Sequence, residues 1–145
     1  MTVSGSSNIP NTVVVDTSFW VSTLLRKDSN HVAALSWLSA YLYDQGQLVA
    51  PQMLIPETAG AMVRITQDKN LARTAVSNLY LFPFMRLVPV DHMLVDDAAD
   101  LAITFRLKGA DALYVAVARQ LGVPLVTFDR EQLTRPASII ATIRP

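Results

Sequence analysis

Short aliphatic and β-branched runs alternate along the chain with longer segments whose apolar positions recur three and four residues apart. Val13–Val15 reads as a first strand, apolar on both faces, and Ser18 to Arg26 as a helix. Asp28-Ser29-Asn30 reads as a break and a new cap. A second helix then runs from Asn30 to Tyr43, with Ala34, Trp37, Leu38, Tyr41 and Leu42 at helical spacing and Gly46 as its stop. Leu48–Ala50 is a brief second strand. Helices follow from Pro56 to Gln67 and from Asn70 to Leu81, the second stopped by Pro83. Leu87–Val90 is a third strand, placed at an edge because Pro89 has no N–H to give to a ladder. Asp91 caps a long helix to Arg106, Lys108-Gly109 breaks the chain, and Ala110–Gln120 forms a helix ended by Gly122. Pro124–Phe128 is a fourth strand and Ser138–Ile143 a fifth. Strands alternating with helices in this way imply an α/β fold: a three-layer α/β/α sandwich with a short parallel sheet of four to five strands.

No repeat or composition shift divides the 145 residues, so 12–145 reads as one domain behind a polar, flexible tail at 1–11. Apolar residues make up 51% of the chain and charged residues 17%, which suits buried strands and leaves apolar area for contacts with partners. No run spans a bilayer and no signal peptide opens the chain, so a cytoplasmic location is expected. The absence of cysteine excludes disulfides, thiolate zinc sites, iron–sulfur clusters and cysteine nucleophiles, and two histidines are too few for a histidine-rich metal site. With zero net charge, binding to nucleic acid by bulk charge is not indicated.

Four acids then stand out by position. Asp16 ends the run Thr12–Val15, Glu57 follows Ile55-Pro56 at a helix start, Asp111 opens the apolar helix after Gly109-Ala110, and Asp129 ends Leu125–Phe128. Each has an ordinary role open to it: helix cap for Asp16 and Asp111, a favourable partner of the helix dipole for Glu57, turn or cap for Asp129. Taken together, they lie where a parallel sheet presents ligands, beyond the carboxyl ends of its strands. Carboxylates gathered there repel one another, and a cluster that stays ionised suits a hard divalent cation with oxygen ligands, Mg²⁺ or Mn²⁺. Two other chemistries with an early aspartate fit less well. A haloacid-dehalogenase-like phosphatase needs a second aspartate at the position of Ser18, and a phospho-acceptor domain needs a late lysine, whereas none follows Lys108.

The segments Val15-Asp16-Thr17-Ser18, Pro56-Glu57, Gly109-Ala110-Asp111-Ala112 and Thr127-Phe128-Asp129, in this order, resemble the PIN domain family, and within it the VapC-type toxins of toxin–antitoxin modules. The likeness spans Thr12 to Ile143. It implies that Asp16, Glu57, Asp111 and Asp129 bind one or two Mg²⁺ or Mn²⁺ ions and cleave RNA. It adds Glu131 as a further acid and Thr17, Ser18 and Thr127 as hydroxyls that support the acids. It also implies a homodimer and an antitoxin that blocks the site. The apolar stretches around Trp37 and Tyr41 and from Leu79 to Phe84 are the expected partner surfaces. Two rival readings stay open: a PIN-type nuclease of RNA maturation or DNA processing without an antitoxin, and a non-catalytic metal-binding module.

Overall fold

The computed structural model describes residues 10–145. The chain runs β1 (Thr12–Val15), α1 (Thr17–Leu24), α2 (His31–Tyr43), β2 (Gln47–Pro51), α3 (Leu54–Thr66), α4 (Lys69–Leu81), β3 (Met85–Val88), α5 (His92–Phe105), α6 (Gly109–Leu121), β4 (Leu125–Val126), α7 (Arg130–Thr134) and β5 (Thr142–Ile143). The sheet order is β3-β2-β1-β4-β5 and every pairing is parallel. Parallel crossovers are right-handed. The steps β1 to β2 to β3 therefore lay α1–α4 on one face, and the return from β3 to β4 lays α5 and α6 on the other. The packing agrees, with α3 against α4, α1 against α2 and α3, and α6 between α5 and the strands.

Val13–Val15 are wholly buried at the centre of the sheet, and Ala112–Ala118 of α6 are buried on every side. A helix segment enclosed all round has no polar face to show, which is why Ala112–Ala118 reads as one continuous apolar run. Acidic caps start four of the other helices: Asp68 accepts from the Asn70 and Leu71 N–H groups, Asp91 from Leu94 N–H, Asp16 from Phe19 N–H, and Asp129 from Gln132 N–H. Phe82, held extended ahead of Pro83, ends α4.

Several boundaries differ from the sequence reading. The third strand lies two residues earlier, Met85–Val88, with Pro89 just beyond it, although β3 is an edge strand as expected. The fourth and fifth strands shrink to two residues each, and a short helix, α7, fills part of the interval between them. Asn30 makes no side-chain cap; Asp28 takes the Asn30 N–H and the Ser22 hydroxyl instead. The tail reading falls mostly on residues 1–9, outside the described residues, while Pro10 and Asn11 are tied in by hydrogen bonds from Tyr41 and from Gln47 N–H.

The expected partner surface also needs correction. Trp37 stacks on Tyr41 and meets Phe19 edge-on, and Phe82 meets Trp20 edge-on, so these rings belong to the core. Of the Leu79–Phe84 stretch, Tyr80, Leu81 and Phe84 remain exposed. No helix among the described residues is long and apolar enough to cross a membrane.

Gly46 is needed for space rather than for its dihedral angles. A Cβ there would run into the Tyr41 ring, while the left-handed residue at this helix end is Gln45. Tyr41 is pinned by its stack on Trp37 and its bond to the Pro10 carbonyl, so it has little room to retreat. Gly46→Ala should cost about 1–3 kcal/mol, the usual range for overpacking. Thermal melting checks this, and an unchanged Tm would mean the ring yields freely.

Candidate active site

The strands β1 and β4 are neighbours, and the chain leaves them toward opposite faces of the sheet. Such a switch point opens a crevice at the carboxyl edge. Asp16 follows β1 directly and caps α1; Asp129 lies three residues beyond β4 and caps α7, accepting from Gln132 N–H at 2.9 Å. Glu57 sits in the first turn of α3, and Asp111 in the first turn of α6. Asp16 and Asp129 are thus both helix caps, and capping uses only part of each carboxylate.

Two hydroxyl networks hold Glu57, Asp16 and the backbone of Asp129, while the Asp111 carboxylate takes no hydrogen bond among the described residues. In the first, Thr17 Oγ1 and Tyr114 OH both reach Glu57 Oε1, at 2.8 and 2.6 Å, and stand 2.7 Å from each other. The Glu57 carboxylate is thereby fixed through one oxygen, and the other has no donor among the described residues. In the second, Ser18 Oγ donates to Asp16 across both oxygens, at 2.9 and 3.0 Å, and accepts from Phe128 N–H. Thr127 Oγ1 accepts from Asp129 N–H and donates to Gln132 Oε1. Gln132 is fully buried and its amide reaches the Asp111 carbonyl at 3.3 Å, so one side chain ties the β4 end, α7 and the start of α6 together.

Tyr114 and Gln132 were not foreseen from the sequence. Tyr114 was hidden in an apolar run, although its position three residues after Asp111 puts both on one helix face. For Gln132 no sequence signal was available beyond the polar run that contains it.

Burial raises the Asp16 carboxyl to about 6, against opposing hydrogen bonds from Phe19 N–H and Ser18. Asp111 also rises to about 6, first through desolvation and then through the charges of Asp129 and Glu57, with Lys108 pulling the other way and Glu131 adding to the rise. Burial and the bond to Glu57 push the Tyr114 hydroxyl far above its ordinary range, so it remains a proton donor. None of Asp16, Glu57, Asp111 and Asp129 has an ion-pair partner among the described residues; Glu131 does, with Arg135 at 3.0 Å.

No three acids or histidines among the described residues close a ready-made metal cage. Mg²⁺ seldom requires one, since it keeps several waters and binds through one or two carboxylates together with substrate phosphates. An all-oxygen donor set, with Asp129, Glu57 and Glu131 repelling Asp111 and no direct ion pair on any of the four acids among the described residues, fits such an ion. A cleft of about 270 Å³ runs past Thr17, Ser18 and Phe128 toward Asp28, Asn30 and Ala61, and its lining includes none of the four acids. A larger cavity, about 490 Å³, lies elsewhere, between Leu24, Leu25, Ile65 and Leu71.

The model of the PIN domain matches residues 13–137. The chain belongs to the PIN domain family. No curated protein matches it in sequence. Among solved structures, this PIN domain is similar to VapC20 of Mycobacterium tuberculosis, a sarcin-ricin loop cleaving toxin, with a TM-score of 0.75 and 21% identity over 92% of this chain and 99% of that one. It is also similar to a chain of FitAcB from Neisseria gonorrhoeae (TM-score 0.68, 16% identity, 90% and 96% of the two chains). A third similar structure is a chain of the promoter-bound VapBC2 complex of Rickettsia felis (TM-score 0.66, 11% identity, 92% and 98%). At these identities the likeness establishes a shared fold.

Proposed function

We propose that the protein is an endoribonuclease that acts with Mg²⁺ or Mn²⁺ and is the toxin of a toxin–antitoxin pair in the cytoplasm. What supports the nuclease reading is the placement of four acids at helix starts and strand ends of a PIN domain, none with an ion-pair partner among the described residues, and Asp111 raised by burial and by the charges of Asp129 and Glu57. In this reading Asp16, Glu57, Asp111 and Asp129 hold one or two ions, and Glu131, already paired with Arg135, lies at the margin. When bound there, such an ion would supply charge neutralisation at the phosphoryl group and a water of lowered pKa. The protein's own part is to fix the carboxylates: Ser18 and Phe19 N–H orient Asp16, Thr17 and Tyr114 orient Glu57, and Gln132 N–H orients Asp129.

Purified protein incubated with cellular RNA should cut it in Mg²⁺ or Mn²⁺ and not in EDTA. Failure to cleave any RNA with either ion would leave the non-catalytic reading in its place. Support for the toxin role comes from the toxin–antitoxin complexes among the similar structures. The apolar groove between Leu24, Leu25, Ile65 and Leu71 offers an antitoxin a seat. Exposed Met93, Val95 and Ile103 on α5 offer area to a second copy of the chain, and the expected homodimer is tested by light scattering.

Tyr114→Phe removes one of two donors to Glu57 and little else. Groups that orient metal ligands typically account for about 10–100-fold in metal affinity or activity. The variant should therefore bind Mn²⁺ roughly tenfold more weakly by calorimetry, with its Tm in EDTA nearly kept. Unchanged Mn²⁺ affinity would mean that Thr17 alone orients Glu57.

A further inference from the structure

The zero net charge conceals a segregation. From Arg106 onward the chain carries six basic residues and three acids, 6 − 3 = +3, and those acids are Asp111, Asp129 and Glu131. Between Arg86 and Arg106 there is no lysine or arginine, and α5 shows Asp96 and Asp100 to solvent. A cation-rich segment thus follows an acidic helix.

Three of the basic residues flank the acid cluster at the carboxyl edge of the sheet. Lys108 caps α6 and its charge is felt at Asp111; Arg130 follows Asp129; Arg144 follows β5. All three are exposed, and none has an ion-pair partner among the described residues. Arg144 is held in place: its Nη1 donates to the Phe128 carbonyl at 3.4 Å and its guanidinium carbon lies 5.3 Å from the centre of the Phe128 ring. Phe128 in turn stacks on buried Phe19. Arg119 and Arg135 differ, being paired with Asp97 and Glu131.

A guanidinium has five N–H donors, so one carbonyl leaves Arg144 enough for a two-point contact with a phosphate. Because the ring and carbonyl already orient it, less side-chain entropy is lost on binding. We propose that Lys108, Arg130 and Arg144 form the track that seats the RNA backbone beside the scissile phosphate, with Arg144 on Phe128 as its fixed contact. This rests on the nuclease reading above and adds to it a direction: the strand lies over the β4–β5 side of the crevice, away from the acids of α5.

The test uses a fluorescent single-stranded RNA and anisotropy across a salt series, in an Asp111→Asn background in Mg²⁺ so that the probe is not cut. Each phosphate neutralised on a single strand contributes about 0.7 to the slope of log K against log salt. Replacing all three residues by alanine should thus flatten the slope by about 2 and weaken binding at least roughly tenfold at low salt. In the otherwise wild-type enzyme the same triple change should raise KM and leave kcat within about twofold. Arg144→Lys should keep the slope while losing affinity, because it retains charge but not the planar fork. Arg86→Ala, on the opposite edge strand, should change nothing. A circular-dichroism melt of each variant excludes unfolding as the cause.

If wild type cleaves RNA while the triple variant keeps its slope and KM, the track is overturned and the nuclease reading stands. Displacement of the RNA by poly-glutamate at equal charge would reassign the surface to an acidic protein segment and also overturn it. If wild type neither binds nor cleaves RNA, it is the nuclease reading that fails, and the track with it.

Discussion

Asp111→Asn should lower metal-dependent RNA cleavage by on the order of 10³-fold, since a bound cation supplies several kcal/mol of transition-state stabilisation and about 1.4 kcal/mol corresponds to tenfold in rate. The fold should survive. The Asp111 side chain has no hydrogen bond among the described residues, and its carbonyl, which takes the Gln132 amide, is unaffected by the substitution. Removing its charge also relieves the repulsion from Asp129 and Glu57, so the variant should melt higher than wild type in EDTA. The two readouts point in opposite directions, a combination that a merely damaged protein does not give. In cells, expression of wild type should slow growth and the variant should not. If both are equally harmless and no neighbouring product binds, the toxin reading gives way to a maturation nuclease. If Asp111→Asn retains cleavage in Mg²⁺, Asp111 is not part of the metal site.

The sequence made the sheet and the acids legible for one reason. Parallel strands buried on both faces appear as short runs such as Val13–Val15, and the first polar residue after each run marks the carboxyl edge. Where a run is ambiguous, the element it suggests and the element it forms differ. Leu87–Val90 is β-branched enough to suggest a strand, but the ladder to β2 forms two residues earlier, where Met85 pairs with Leu48. Five residues give too little periodicity to announce α7. Trp37 and Tyr41 suggested a partner surface because their spacing alone does not reveal that they pack with Phe19. Tyr114 illustrates the deeper limit. Its hydroxyl meets Thr17, 97 residues away, and Glu57, 57 residues away, and a purpose set by such distant neighbours leaves no local mark.

The metal-free protein should lose stability as pH rises from about 4 to 7, and divalent metal should reverse that loss. In the unfolded chain Asp16 titrates near its ordinary value of 3.8, whereas in the folded protein burial raises it to about 6. Between those values the native state holds a proton that the unfolded state has released. The stabilisation is therefore complete below the unfolded pKa and lost as pH climbs through the folded one. The rise from 3.8 to about 6 makes the loss on the order of 3 kcal/mol for Asp16, and Asp111, raised to about 6 as well, shifts in the same direction. Asp16→Asn should flatten this dependence without breaking α1, because asparagine caps a helix about as well as aspartate. Metal acts in the opposite sense: its ligands must be deprotonated, so the stabilisation by Mg²⁺ or Mn²⁺ should grow over the same interval in which the metal-free protein weakens. Thermal melts at pH 4, 5.5 and 7, with EDTA and with Mn²⁺, test both limbs. A metal-free Tm that rises steadily to pH 7 would show that Asp16 is ionised at no cost. A Tm indifferent to Mn²⁺ at pH 7 would show that the four acids do not bind that ion.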